Sequence, residues 1–335
     1  MAPEAILVSV IILFHIMWLL LLVVAAAMIF LYRWNIQRQI LPNLTDKYVL
    51  ITGCDSGFGK LLAKQLDGQG LKVLATCLTQ KGAEELKKET SSRLKTVIMD
   101  VSDSESVSKA AQWVSQIVGN AGLWGLVNNA GIALPIGPNG WMKKEHFVKM
   151  IDVNLLGMVD VTLTLLPLIR RARGRIVNVS SSMGRIALFG GAYSISKHGV
   201  EAFSDCLRRE LSRFGIKVSI IEPGGFKTSI FSFSVCKKSM EQLWADTSAE
   251  TKECYGQQYL NETLQTIDEL INTNSSKLCK VTNCMEHALT ACHPWTRYSP
   301  GWDAKLFYIP LSYLPTVLSD YVASRFAPRL SQGEK

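Results

Sequence analysis

Residues 48–76 read YVLITGCDSGFGKLLAKQLDGQGLKVLAT, and the changes of pattern within them decide the fold. The run from Tyr48 to Thr52 is short and continuously apolar, as a strand covered on both faces must be. It passes directly into GCDSGFG, whose glycines at 53, 57 and 59 permit a tight turn and close backbone approach. KLLAKQLDGQG follows with apolar residues at helical spacing, and LKVLAT is a second apolar strand. Strand, glycine turn, helix, strand is a βαβ unit. The alternation recurs at Thr96 to Asp100, Gly125 to Gly131, Arg175 to Ser181 and Lys217 to Gly225, with helical segments between. Such a chain is α/β, a doubly wound parallel sheet covered by helices on both faces. Ligands bind beyond the carboxyl ends of strands in such sheets, which is where this sequence keeps its unusual polar and glycine residues.

The segment before the domain is of another kind. From Ala5 to Tyr32 there is no acidic or basic residue except His15, which can be neutral. At about 1.5 Å per residue a helix of that length exceeds a ~30 Å hydrocarbon core, so residues 1–32 are expected to form a single transmembrane anchor. A cleaved signal would have a shorter apolar run behind a basic start, whereas this one begins with Glu4 and no Lys or Arg. Arg33, Arg38 and Lys47 follow the span, which places the globular part in the cytosol. Sequons at Asn43, Asn261 and Asn274 would be glycosylated in a lumen, so they offer a test of that orientation.

Residues 33–46 read as a polar linker and 47–300 as the catalytic domain. The stretch 301–335 contains Pro310, Pro315 and Asp320 among apolar residues, and reads as membrane-apposed or packed on the domain rather than as a second span. The net charge of +8 includes a cluster at Arg170, Arg171, Arg173 and Arg175, but no aromatic residues are interleaved with it. That pattern argues against nucleic acid. Attraction to anionic lipid explains the excess more simply. The eight cysteines lack CxxC pairs and the five histidines lack ligand spacing, so reduced thiols and no metal are expected.

Within the domain, Tyr193 and Lys197 stand four apart in a helical stretch, hence on one face, within reach of one ligand. An ammonium beside a phenol favours the phenolate and lowers its pKa from about 10. Ser181, at the end of RIVNVSS, could hold a substrate oxygen against Tyr193; Ser180 and Ser182 are its neighbours. Asn128 to Gly131 (NNAG) could tie neighbouring loops together, frame a cofactor, or both. Asp100 could cap the next helix or accept from an adenine amino group. Phe226, Ile230, Phe231, Phe233 and Trp244 could form an apolar lid over a lipophilic alcohol, or core.

Taken together, TGCDSGFG, NNAG, the serine of VNVSSS and YSISK resemble the short-chain dehydrogenase/reductase family, with its TGxxxGxG, NNAG, Ser and YxxxK patterns. DKYVLITGCDSGFG, GLWGLVNNAG, ARGRIVNVSSS, GVEAFSDCLRREL and RYSPGWDAKLFYIPLSYLP resemble its retinol and hydroxysteroid dehydrogenase branch, which is typically membrane-bound. The resemblance spans about residues 47 to 310. It implies a Rossmann-type fold of about seven parallel strands and a catalytic set of Asn154, Ser181, Tyr193 and Lys197. By the same resemblance the cofactor is held by Thr52, Gly53, Asp55, Ser56, Gly57, Phe58, Gly59, Asp100, Val101, Asn128, Ala130, Gly131, Tyr193, Lys197, Pro223, Gly224 and Thr228, and the alcohol oxygen by Ser181; Phe226 and Phe231 of the apolar lid are the further substrate residues expected.

Tyr193 would take the alcohol proton, Ser181 orient the oxygen, Lys197 lower the tyrosine pKa and hold the ribose, and Asn154 shape a helix and hold a water. NAD is expected over NADP, because Ser56 lacks the basic side chain that meets a 2′-phosphate and Asp55 adds negative charge; Lys81 is the residue that argues the other way. The resemblance further implies oxidation of retinol or a hydroxysteroid at the endoplasmic reticulum membrane, and raises a homodimer through the helices around Asn154 and Tyr193. A tethered protein of this fold that binds lipid and cofactor without catalysis is the alternative.

Overall fold

The computed structural model describes residues 3–188 and 191–325, and of these all side chains but those of residues 3–10 and Ile230. The ends of the expected anchor and C-terminal segment, Met1 and Ala2 and residues 326–335, lie outside the described residues, as do Phe189 and Gly190. The chain divides into residues 1–42 with 290–294, and residues 43–289 with 295–335.

In the first unit, helix α1 (Pro3–Gln37) runs past the expected end of the anchor at Tyr32, because nothing before Pro42 breaks it. From Ile11 onward it is long and apolar enough to cross a membrane, and its large apolar side chains are exposed. The expected linker 33–46 is therefore helical in its first part. Its next part is hydrogen-bonded: Leu41 N donates to Thr290 O at 2.9 Å, and Cys292 N to Gln39 O at 2.7 Å.

The second unit carries β1 (Tyr48–Ile51), α2 (Gly57–Gly68), β2 (Lys72–Cys77), α3 (Gln80–Lys88), β3 (Lys95–Ile98), α4 (Ser104–Val118) and β4 (Gly125–Asn128). After these come α5 (Lys144–Ile151), a π turn over Asp152–Leu156, α6 (Gly157–Ala172), β5 (Arg175–Val179), α7 (Gly191–Leu211) and β6 (Lys217–Ile221). Then follow α8 (Phe233–Ala245), α9 (Ala249–Thr273), α10 (Cys279–Thr290), β7 (Arg297–Tyr298), α11 (Ile309–Leu311) and α12 (Thr316–Ser324). All seven strands form one parallel sheet in the order β3-β2-β1-β4-β5-β6-β7.

Alternation along the strands explains their near-continuous apolarity. Leu74, Leu50, Leu126, Ile176 and Val218 are successive partners across five strands and face one core, with Val114 of α4, Ile169 of α6 and Leu211 of α7. Their neighbours Val73, Val49, Val127 and Val177 face the other core, with Leu66 of α2, Leu86 of α3 and Met285 of α10. Both faces are buried, so neither tolerates a polar alternation. The helices α5 and α6 together are also long and apolar enough to span a membrane, but Val161, Leu165 and Ile169 spend that apolarity on the core.

The strand order reverses between β1 and β4, which opens the crevice where ligands bind in such sheets.

Candidate active site

At the reversal, the ends of β1 and β4 are tied by side chains. Asn129 N and Ala130 N both donate to Thr52 Oγ1 at 2.9 Å, and Asn129 Nδ2 donates to Thr52 O at 2.8 Å and Gly53 O at 3.1 Å. Gly53 has φ +70°, and a Cβ there would lie 2.8 Å from Ala130 Cα. A Cβ on Gly59 would lie 2.4 Å from Gly53 O. The glycines are thus demanded by the closeness of turn, helix and β4 loop. No side chain caps the start of α2, which leaves its first N–H groups for an anion.

Above this turn lies a cavity of about 920 Å³. Of the residues expected to hold cofactor or substrate, it is lined by Gly53, Asp55, Ser56, Gly57, Phe58, Asp100, Val101, Ala130, Gly131, Ser181, Tyr193, Lys197, Pro223, Gly224, Phe226, Thr228 and Phe231. Thr52 and Gly59 stand behind it and shape the turn. Asn128 does not reach it: its amide donates to Thr162 Oγ1 at 2.8 Å and Asn178 Oδ1 at 2.9 Å inside the core. The bonds to the turn are made by Asn129, which does line the cavity. Asp100 does not cap α4, since Asp103 does; its carboxylate instead accepts from Ser102 N and Ser102 Oγ.

Asn154 also lies outside the cavity wall, fully buried in the π turn between α5 and α6. Its Oδ1 accepts from Ile132 N at 2.7 Å, and its Nδ2 donates to Ile132 O at 2.9 Å and Ser196 Oγ at 3.0 Å. It joins the loop after β4 to the helix that carries Tyr193 and Lys197. On that helix Lys197 Nζ donates to Val179 O at 3.0 Å and lies 5.8 Å from the Tyr193 ring centre. Ser181, at the end of β5, accepts from Met183 N at 3.1 Å, and its hydroxyl is close enough to the Tyr193 phenol to favour the phenolate. Within the serine triplet, Ser181 is therefore the one paired with Tyr193, whereas Ser180 Oγ donates to Lys197 O.

The electrostatics correct one expectation. Burial raises the Tyr193 phenol above its usual value despite the nearby Ser181 hydroxyl. Burial likewise pushes Lys197 down to about 8, against the opposing charge of Glu201. Desolvation disfavours both charged forms at once, and it outweighs the pairing that the helical spacing suggested.

Beneath α7, Arg297 binds Glu201, Glu222 and Asp205, and Arg185 binds Glu222 at 3.0 Å. The Glu222 carboxylate immediately precedes Pro223 and Gly224, so this network braces the cavity's floor.

The lid is mixed. Phe231 lines the cavity, while Phe226 both lines it and packs in the core, edge-on to Phe58 at 5.8 Å. Trp244 turns away and stacks on Trp141 with ring centres 4.8 Å apart, and Phe233 is not in the wall. The Ile230 side chain lies outside the described ones. Much of the remaining wall was not anticipated: α9 supplies Tyr259, Thr263, Thr266, Ile267 and Leu270. Their spacing of three, four and one is a single helical face, a pattern visible in the sequence.

A seven-stranded parallel sheet with this turn, and a Tyr, Lys and Ser converging on its crevice, defines a nucleotide-dependent oxidoreductase fold. The short chain dehydrogenase family model matches residues 47–238, and the chain belongs to that family. Its fold binds a nicotinamide dinucleotide. Retinol dehydrogenase 16 of Homo sapiens is 58% identical over 312 residues, covering 93% of this chain and 98% of that one. 17-beta-hydroxysteroid dehydrogenase type 6 of Homo sapiens is 54% identical over 316 residues, covering 94% and 99%. Among solved structures, a short-chain dehydrogenase from Streptomyces avermitilis superposes with a TM-score of 0.65 at 26% identity, covering 83% of this chain and 94% of that one.

Proposed function

We propose that this chain is a membrane-anchored dehydrogenase that oxidises a lipophilic alcohol, retinol or a hydroxysteroid, with NAD. The observation that carries the reading is the convergence of the Tyr193 phenol, Ser181 and the buried Lys197 on the wall of one cavity. In oxidation, Ser181 holds the alcohol oxygen and Tyr193 takes its proton as the carbon gives up a hydride. When bound, the nicotinamide supplies the hydride acceptor and, in its oxidised form, a positive charge. Gly53, Ser56, Gly57 and the start of α2 would hold its phosphates, and Lys197 its ribose. Asn154 keeps α7 in register with the loop after β4.

The cofactor preference rests on Asp55. Its carboxylate accepts from Leu78 N at 2.8 Å, Thr79 N at 2.9 Å and Thr79 Oγ1 at 2.7 Å, which fixes a negative charge at the end of β2. A 2′-phosphate there would meet it, and Lys81 points its exposed ammonium to Glu85 at 3.9 Å. Asp55→Asn is expected to raise the NADP-to-NAD ratio of kcat/KM by roughly tenfold, since a repulsive element is removed. An unchanged ratio in steady-state kinetics would remove Asp55 from the argument.

The endoplasmic reticulum membrane is the proposed location, with the catalytic unit in the cytosol; glycosylation at Asn261 would refute that orientation. A homodimer through α6 and α7 belongs to the same proposal, supported by the exposed Leu163 and Ile195 on those helices. The whole reading is tested by supplying all-trans-retinol or a 3α-hydroxysteroid, with NAD or NADP, to membranes that contain the chain. Chain-dependent NADH formation is expected. Its absence across both alcohols would favour a protein that binds lipid and cofactor without turnover.

A further inference from the structure

Beyond β7 the chain presents an apolar surface that the sheet and its helices do not use. Trp302, Leu306, Tyr313, Val317, Leu318 and Tyr321 are 51 to 78% exposed, all within one stretch of the catalytic unit. Burying such side chains in water-free surroundings is favourable, and a soluble surface rarely gathers them. Three cations lie over aromatic rings of this stretch, which also holds Asp303 and Asp320. Lys305 lies over the Trp302 ring at 5.9 Å, Arg325 over Tyr321 at 4.8 Å and Arg185 over Tyr313 at 5.1 Å. Cations paired with amphipathic aromatic rings suit the boundary between acyl chains and anionic headgroups.

The same stretch is part of the catalytic cavity. Tyr308 and Ala323 contribute to the wall that also contains Tyr193. It is also held to the loops that carry the chemistry. Gly225 N donates to Asp303 Oδ2 at 2.5 Å, and Arg185, just past the Ser181 turn, donates to Tyr313 Oη at 2.6 Å and to Glu222 at 3.0 Å. A contact made by the outer face of this stretch therefore fixes the mouth of the cavity in place.

We infer that the segment from Trp302 to Arg325 is a lipid-docking face which seats the cavity mouth on the bilayer, so that the alcohol enters from the membrane rather than from water. Lipid is the occupant because the face is apolar, three of its aromatic rings (Trp302, Tyr313 and Tyr321) each carry a cation, and it is continuous with a cavity read here as taking a lipophilic alcohol; the entry route rests on that reading. The anchor α1 keeps the chain at a membrane, so the face needs only weak affinity of its own.

The test uses the full chain reconstituted in vesicles of phosphatidylcholine and phosphatidylserine. With brominated acyl chains, wild-type tryptophan fluorescence should show a quenched component that Trp302→Phe lacks, independent of any turnover. Equal quenching in the two proteins overturns docking. Val317→Glu with Leu318→Glu, both on the exposed face, should raise the KM for vesicle-borne retinol by roughly tenfold, with kcat within about twofold, because carboxylates disfavour the apolar contact. In detergent micelles the same variant should match wild type. An unchanged KM in vesicles overturns the entry route. Quenching of Trp302 in a chain that turns over neither retinol nor steroid would support docking and sink the substrate reading instead. Equal protection of Trp302 from bromine when a copurifying protein covers it would overturn lipid as the occupant.

Discussion

Tyr193→Phe is expected to lower alcohol turnover by roughly 10²- to 10⁴-fold, the range that a positioned acid/base contributes, while cofactor affinity stays within a few-fold. The substitution removes one hydroxyl from a half-buried ring in the cavity wall and leaves its packing in place, so the fold should survive. On the proposed mechanism, what is lost is the group that accepts the alcohol proton, while Ser181 stays in place. The pH profile separates this role from a structural one. Burial holds the phenol above its ordinary value, so at neutral pH only a small fraction is ionised and competent as a base. Wild-type oxidation should therefore rise with pH up to at least about 9, and the residual rate of the variant should not follow it. Stopped-time assays of NADH formation across that range, with cofactor binding followed by fluorescence, would decide. A variant that keeps the wild-type rate would remove Tyr193 from the chemistry.

The same residues show how far the sequence could be read. TGCDSGFG declared both the sheet and the turn, because glycine is forced where Gly53 and Gly59 meet backbone at under 3 Å. The spacing of Tyr193 and Lys197 predicted a shared helix face, and α7 does place both in the cavity wall; their reading as a catalytic pair rested on the accompanying motifs. Asn128 was misplaced although the signal existed: a strand alternates, so Asn128 shares the face of Leu126 and enters the core between Thr162 and Asn178. Asn129, one residue on, emerges toward Gly53. Strand β7 has two residues and carries no periodicity to detect. The direction of the Tyr193 shift was not legible either, since spacing reports which groups are close and is silent on how much water they lose.

Lys197 shows the consequence of that loss. Its ammonium is buried and its pKa pushed down to about 8, from an ordinary 10.5. Between those values the unfolded chain binds a proton that the folded chain does not, so this group's contribution to stability rises with pH across the window. It is fully present above the unfolded value and lost as pH falls through about 8. At roughly 1.4 kcal/mol per pKa unit, the buried charge costs about 3 kcal/mol at neutral pH. Lys197→Met should abolish that pH dependence. It should also stabilise the protein at pH 7 by somewhat less than the full amount, since Val179 O loses a hydrogen bond worth about 1 kcal/mol. Turnover should fall by roughly 10²-fold or more, because the proposed hold of Lys197 on the cofactor ribose beside Tyr193 is lost. The measurement is unfolding of both proteins in the same detergent at pH 7 and pH 10, where the difference of differences isolates this group from all others that titrate. An equal pH response in the two would show that Lys197 is not held in the low-dielectric surroundings that the bond to Val179 implies. A stabilised and inactive variant would mean that the fold spends stability to keep a charge where the alcohol proton must leave.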